Sequence, residues 1–180
     1  MRHAIRVTPI LDSQNICSVH LADGTERCLT TEKLNCPDIA EKLRGGIEHC
    51  HIEIDDDFCV IVLSDDNMQW GYTVVWNYME NEIVHLVQTP FAVSAIVYDS
   101  QVIVMYLVQY WGHLADLWYS IEPLLEVNSE HEPDRIRLDM PIDDSVKGPD
   151  SCRITLQLGK VVFRAGNQEK AIKITAGAIK

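Results

Sequence analysis

Residues 47–98 break into short apolar or alternating runs, each closed by a cluster of polar turn residues. Punctuation this dense favours strands and hairpins over long helices in that stretch. Residues 47–54 end at Asp55-Asp56-Asp57. Residues 58–63 are apolar on both faces, so that strand is expected at the centre of a sheet covered on both sides. Ser64-Asp65-Asp66-Asn67 turns the chain into a long strand over 69–79. Glu80-Asn81-Glu82 turns it again, 83–88 returns, and 91–98 reads as a further strand. The series reads as an antiparallel meander.

Upstream, 3–10 alternates weakly, and 16–22 and 25–31 flank Asp23-Gly24. A two-residue hairpin there sets Val19 opposite Cys28 and Cys17 opposite Thr30. A short helix follows, with Asn35 as its cap, Pro37 and Asp38 in its first turn, Ile39 and Leu43 as its apolar stripe and Gly45-Gly46 as its end.

Residues 101–126 carry Val102, Val104, Met105, Val108, Trp111, Leu114, Ala115 and Trp118 at helical spacing, with Asp99 or Ser100 as a cap. Tyr106, Leu107 and Tyr110 make the segment apolar nearly all round, so it reads as a long buried helix. The β-branched residues of 103–108 support a strand as the competing reading. Residues 127–134 read as a loop, 135–140 as a strand, and 152–158, 160–164 and 170–175 as short strands with Gly159 and Gly166 at turns.

The expected fold is therefore α+β: a curved, mostly antiparallel sheet packed on one long apolar helix, with one short helix and C-terminal β strands. The 180 residues suit one domain spanning 1–180. The composition shift at 127–134 is the candidate boundary of a C-terminal β subdomain over 135–180.

Charge is distributed unevenly. No Lys or Arg lies between Arg44 and Arg135, while residues 45–134 carry sixteen Asp and Glu. Residues 1–44 are balanced, and residues 135–180 hold nine basic and five acidic side chains. A central half this anionic argues against direct binding of nucleic-acid phosphates there and for a basic protein partner. The N-terminal residues lack the apolar core of a signal peptide, and no uncharged run is long enough to span a bilayer, so a cytoplasmic protein with no membrane partner is expected. Six cysteines without CxxC spacing read as reduced thiols, with Cys17 and Cys28 the one pair near bridging reach.

Four constellations are chemically suggestive. His49-Cys50-His51-Ile52-Glu53-Ile54-Asp55 would set His49, His51, Glu53 and Asp55 on one face of a strand. Two imidazoles and a carboxylate are a donor set for zinc or iron. His85, His113 or His131 are candidates to complete such a site. Over these few residues the pattern resembles the first cupin motif. Glu53 follows His51 too closely for that motif, however, and no matching histidine motif lies downstream. The bland alternative is a polar outer face.

Trp70, Tyr72, Val74, Trp76 and Tyr78 share one face of a strand, either as core or as an exposed binding strip with Asp65, Asp66, Glu80 and Glu82 as an acidic rim. The acid clusters Asp55-Asp56-Asp57, Asp65-Asp66, Glu80 with Glu82, and Glu130, Glu132 and Asp134 all fall at turns or loops; solubility accounts for their positions but not for the absence of lysine at those tips. They lack the spacing of a calcium loop. His113 and Asp116, three apart on the expected helix, would form a His–carboxylate pair with no identifiable nucleophile beside it. There is no phosphate-binding loop, dinucleotide fingerprint or nucleophile elbow, which disfavours nucleotide-dependent catalysis.

The expected function is non-enzymatic: an acidic module that neutralises or escorts a basic partner, as inhibitors, immunity proteins and acidic chaperones do. Asp55, Asp56, Asp57, Asp65, Asp66, Trp70, Tyr72, Trp76, Tyr78, Glu80 and Glu82 would form its binding face, and no cofactor is required. The alternative is a metal-dependent enzyme or metal-binding protein built on His49, His51 and Glu53. Docking of the basic C-terminal segment on the acidic middle, within one chain or in a homodimer, is the third reading.

Overall fold

The runs between residues 47 and 98 do form strands, and they build the middle of a stack of β layers. The structure is a computed structural model and describes residues 4–110, 113–129 and 133–174. Sheet I is β1 (Ala4–Pro9), β2 (Asn15–Leu21) and β3 (Glu26–Thr30), followed by α1 (Thr31–Leu34) and α2 (Pro37–Gly45). Sheet II has the order β11-β7-β6-β5-β4, from β4 (His49–Asp55), β5 (Phe58–Ser64), β6 (Gly71–Asn77), β7 (Glu82–Gln88) and β11 (Glu126–Ser129). Sheet III has the order β12-β10-β9-β8, from β8 (Ala92–Tyr98), β9 (Gln101–Tyr110), β10 (His113–Pro123) and β12 (Ile136–Arg137). A single 3-10 turn (Pro149–Ser151) leads into sheet IV, formed by β13 (Cys152–Gln157), β14 (Lys160–Ala165) and β15 (Gln168–Ile172).

Strand alternation explains the layering. In β5, Cys59, Ile61 and Leu63 enter a core shared with sheet I and α2, while Val60 and Val62 enter a core shared with sheet III. In β9, Val102, Val104, Tyr106 and Val108 face that second core, while Ile103, Met105 and Leu107 face a third, shared with sheet IV. Both strands are buried on two faces, so neither shows a polar side. Gly71 lets the backbone just beyond β7 approach the start of β6: a Cβ there would meet the Thr89 carbonyl oxygen at 2.8 Å.

The expected α+β fold is corrected here. Residues 101–126 form no long apolar helix; they are the β9–β10 hairpin, paired from Gln101↔Pro123 to Tyr110↔His113. Apolar residues on both sides of a doubly covered strand fill a helical template as well as a strand template, and the β-branched content was the deciding signal. The two helices are short, and the described chain is mostly β. Among the described residues, no helix is long and apolar enough to cross a membrane.

Smaller expectations also shift. Asn35 caps the C-terminus of α1 in a left-handed conformation (φ 48°), and Cys36 precedes α2 as its N-cap. Residues 127–129, expected in a loop, belong to β11, which runs parallel to β7. The hairpin between β2 and β3 pairs Ser18 with Cys28 and Cys17 with Leu29. Leu21 accepts from Gly24 and donates to Thr25, so the loop holds three residues, with Gly24 at φ 86°. That one-residue change turns Cys28 outward while Cys17 is buried, so the two cannot bridge.

All six cysteines are free thiols. Burial pushes the Cys50 thiol up to about 12 and the Cys152 thiol up to about 11. A hydrogen bond with Cys17, then burial, raises Cys59. The thiolate is the reactive form, so these groups are protected while the fold holds. In mildly alkaline buffer an aromatic disulfide reagent is expected to label Cys28 fast and the full complement of six only after denaturation. Fast labelling that survives Cys28→Ser would contradict the burial pattern.

Residues 135–174 join the stack through the third core, which combines Ile103, Met105, Leu107 and Leu117 with Ile154, Val161, Phe163 and Ala165. The Ile154 amide donates to the buried Ser94 hydroxyl of β8 at 3.1 Å.

Candidate functional site

Hairpins of a meander alternate between the two ends of its sheet. The β4–β5 and β6–β7 turns therefore leave sheet II at one end and the β5–β6 connection at the other. With strands about 4.8 Å apart, the two turns at the first end are centred about 10 Å from each other. Tyr78 ties them together: its amide donates to the Asp57 carbonyl at 3.1 Å, and its hydroxyl donates to the Asp56 carbonyl. Burial, then the nearby Asp57, raises the Tyr78 phenol, so that hydroxyl keeps its proton. Asn77 orders the second turn by accepting from the Met79 and Glu80 amides at 3.1 Å and donating to the Glu80 carboxylate at 3.3 Å.

Asp55, Asp56, Asp57, Glu80 and Glu82 thus share one end of the sheet, with Asp56, Glu80 and Glu82 exposed. Asp65 and Asp66 stand at the opposite end, so the acids expected to form one rim divide into two groups. Asp65 is also engaged: Lys42 lies 3.5 Å from its carboxylate, and the Trp70 amide donates to it at 3.3 Å.

The aromatic face of β6 joins the core. Trp76 and Tyr78 are fully buried in the core between sheets I and II, so neither is available to a partner. Trp70 and Tyr72 are half-buried at the far end, where both donate to the Asp38 carboxylate of α2, at 3.0 and 2.8 Å. Lys42 lies over the Trp70 ring, 5.4 Å from its centroid. The turn positions of these acids were legible in the sequence. The side of the strip was not, because sheet I and α2 cover it only after the chain has folded back.

His49, His51 and Glu53 lie on the open edge strand β4. A cavity of about 200 Å³ beside it is lined by His49, His51, Ser64, Asp150, Cys152 and Arg153, among others. The His51 Nε2 atom lies 3.4 Å from Glu53 and 3.3 Å from the Ser94 hydroxyl. One ring nitrogen meets both groups, so the imidazole cannot relay a proton between them as a nucleophile–base–acid triad requires. Glu53 also pairs with Arg153. The His51 hydrogen bond and then Arg153 outweigh burial and hold its carboxyl below the usual range.

Among the described residues, the donors that converge within 4.8 Å are not these three but His85, Glu122 and Glu126. Of the residues suggested to complete a histidine site, His85 belongs to that separate group, no side chain is described for His113, and His131 lies outside the described residues. The expected His113–Asp116 pairing loses its helix, and Asp116 instead holds Arg137 at 2.5 Å. Trp111, Glu130 and Glu132 also lie outside the described residues.

The basic C-terminal segment compensates part of the acidic middle through Arg153 on Glu53 and Arg137 on Asp116. Arg164 pairs within sheet IV with Glu169, and Lys170 donates to the Asp139 carbonyl. Among the described residues, no Lys or Arg forms an ion pair with Asp56, Asp57, Asp66, Glu80 or Glu82. In comparison with known proteins, the chain matches no family model, no curated protein and no solved structure.

Proposed function

We propose that this chain is an anionic protein-binding module that neutralises or escorts a basic partner, seating it against the acidic end of sheet II. One observation carries the reading. Tyr78 fixes two acidic turns side by side, and their exposed carboxylates have no cationic partner among the described residues. Carboxylates preset in this way attract a cationic segment over a distance comparable to the Debye length, about 8 Å at physiological salt. The proposal places the site on Asp55, Asp56, Asp57, Glu80 and Glu82, and leaves Trp76 and Tyr78 as its internal support. A reducing, cytoplasmic setting fits six free thiols and belongs to the same reading.

The test uses a lysine-rich peptide and the intact chain. The association rate is expected to fall about tenfold or more from low ionic strength to physiological salt. Asp56→Lys with Glu80→Lys is expected to abolish binding, while Asp66→Lys at the opposite end leaves most of it. Binding that ignores salt, or that responds equally to Asp66→Lys, would remove the proposal. The metal reading built on His49, His51 and Glu53 gains no support from this geometry, because Glu53 is already held by Arg153.

A further inference from the structure

The interior between sheets II and III contains a polar group that the binding role does not use. His85 of β7 is fully buried, and Glu122 of β10 is 4% exposed. Glu126 opens β11, where it pairs in register with His85. Buried ionisable side chains of this kind are costly unless every polar atom finds a partner.

The partners are incomplete in a specific way. One Glu122 oxygen, Oε1, accepts from the Ser120 hydroxyl at 2.5 Å and from the Tyr106 hydroxyl at 3.3 Å. Tyr106 keeps its proton, because burial and then the Glu122 charge raise its phenol. Arg135 lies over the Tyr106 ring, 4.5 Å from its centroid, and donates to the Pro90 carbonyl. The other oxygen, Oε2, is buried with no hydrogen-bond donor, and the same is true of His85 Nε2. These two atoms face each other at 3.3 Å, a charge contact without hydrogen-bond geometry.

The His85 tautomer follows from its other nitrogen. Nδ1 lies 3.1 Å from the Pro123 carbonyl, which can only accept, so Nδ1 carries a proton. In the neutral ring Nε2 then presents a lone pair to a carboxylate lone pair. Two acceptors held this close in a dry interior call for a positive charge between them.

We infer that His85, Glu122 and Glu126 bind one divalent transition-metal ion that fastens sheet II to sheet III. Nε2 and Oε2 are its inner ligands, and Glu126, half-buried, turns in as the third. Two ligands each about 2.1 Å from a tetrahedral zinc stand about 3.4 Å apart, close to the spacing observed here. The imidazole favours a transition metal over calcium or magnesium. The Pro123 carbonyl on Nδ1 and the two hydroxyls on Oε1 form the outer shell that orients such ligands. A proton shared by His85 and Glu122 would need an aligned hydrogen bond, and it would give Glu126 no role.

The test is zinc chloride titrated calorimetrically into untagged, chelator-stripped full-length protein. One ion per chain is expected, and cobalt chloride should give the visible absorption of a low-coordinate site. Glu126→Gln, at a half-buried position that should keep its fold by circular dichroism, is expected to weaken zinc binding about tenfold or more. His85→Gln is expected to weaken it further, and His49→Ala with His51→Ala should leave it unchanged. No stoichiometric uptake by the stripped wild-type chain would overturn the inference. So would uptake that survives Glu126→Gln and disappears with the His49 and His51 substitutions.

Discussion

Trp76→Ala is expected to cost about 3–5 kcal/mol of folding stability, the range for deleting a large aromatic from a packed core. Trp76 has no exposed surface and sits in the core between sheets I and II. Its ring packs edge-on against Tyr78, centroids 6.3 Å apart, and its indole N–H donates to Asn81 at 3.3 Å. Alanine would leave a void bounded by Tyr78 and by strands that the Asn81 contact helps to close. Domains of this size have roughly 5–15 kcal/mol in hand, so the variant should hold little reserve. Urea denaturation checks this: the midpoint should fall sharply while the slope stays that of the wild type. An exposed recognition residue would give the reverse pattern, with partner binding reduced and the midpoint unmoved, and that result would contradict the burial of the strip.

Ending the chain after Ser151 is expected to have a still larger effect. The deletion removes sheet IV and with it Ile154, Val161, Phe163 and Ala165, each fully buried. At roughly 1.5–3 kcal/mol for a large buried apolar side chain, losing three or four of them approaches the stability of a whole domain. The face of sheet III carrying Ile103, Met105, Leu107 and Leu117 would be left against water. The Ser94 hydroxyl would lose the Ile154 amide, and Glu53 would lose Arg153. Size-exclusion chromatography should find aggregates, and a thermal scan should find no cooperative transition. A truncated chain that elutes as the wild type does and melts cooperatively at the same temperature would mean that the last strands add nothing to the core. That outcome would favour an independent C-terminal unit.

The two variants probe the same difficulty in reading the sequence. The side of a strand facing the interior can be read locally only if the other side faces water. β5 was legible as a central strand because its run is short and bounded by turns at Asp55-Asp56-Asp57 and Ser64-Asp65-Asp66-Asn67. The β9–β10 segment was not, because its hairpin joins two long strands and β9 is buried throughout its described side chains. Residues that fit a helical stripe, such as Val104, Met105 and Val108, actually divide between two cores. Glu122 and Glu126 would have been neighbours on one face of that helix. In the sheets they lie on different layers, and His85 comes to them from another strand. No spacing rule links His85 to the two glutamates, so nothing local could have assembled the site.

The sequence alone determined the strand-rich middle, the positions of its acidic turns, the short helix over Ile39 and Leu43, and the three C-terminal strands. Alternation, turn chemistry and capping act over a few residues, and those signals were sufficient. Tertiary structure decided that the Trp76 face is core, that the acidic turns separate to two ends of a sheet, and that His85 meets Glu122. Each of these depends on which layer covers which face, and that choice is made by burying apolar area between segments far apart in the chain.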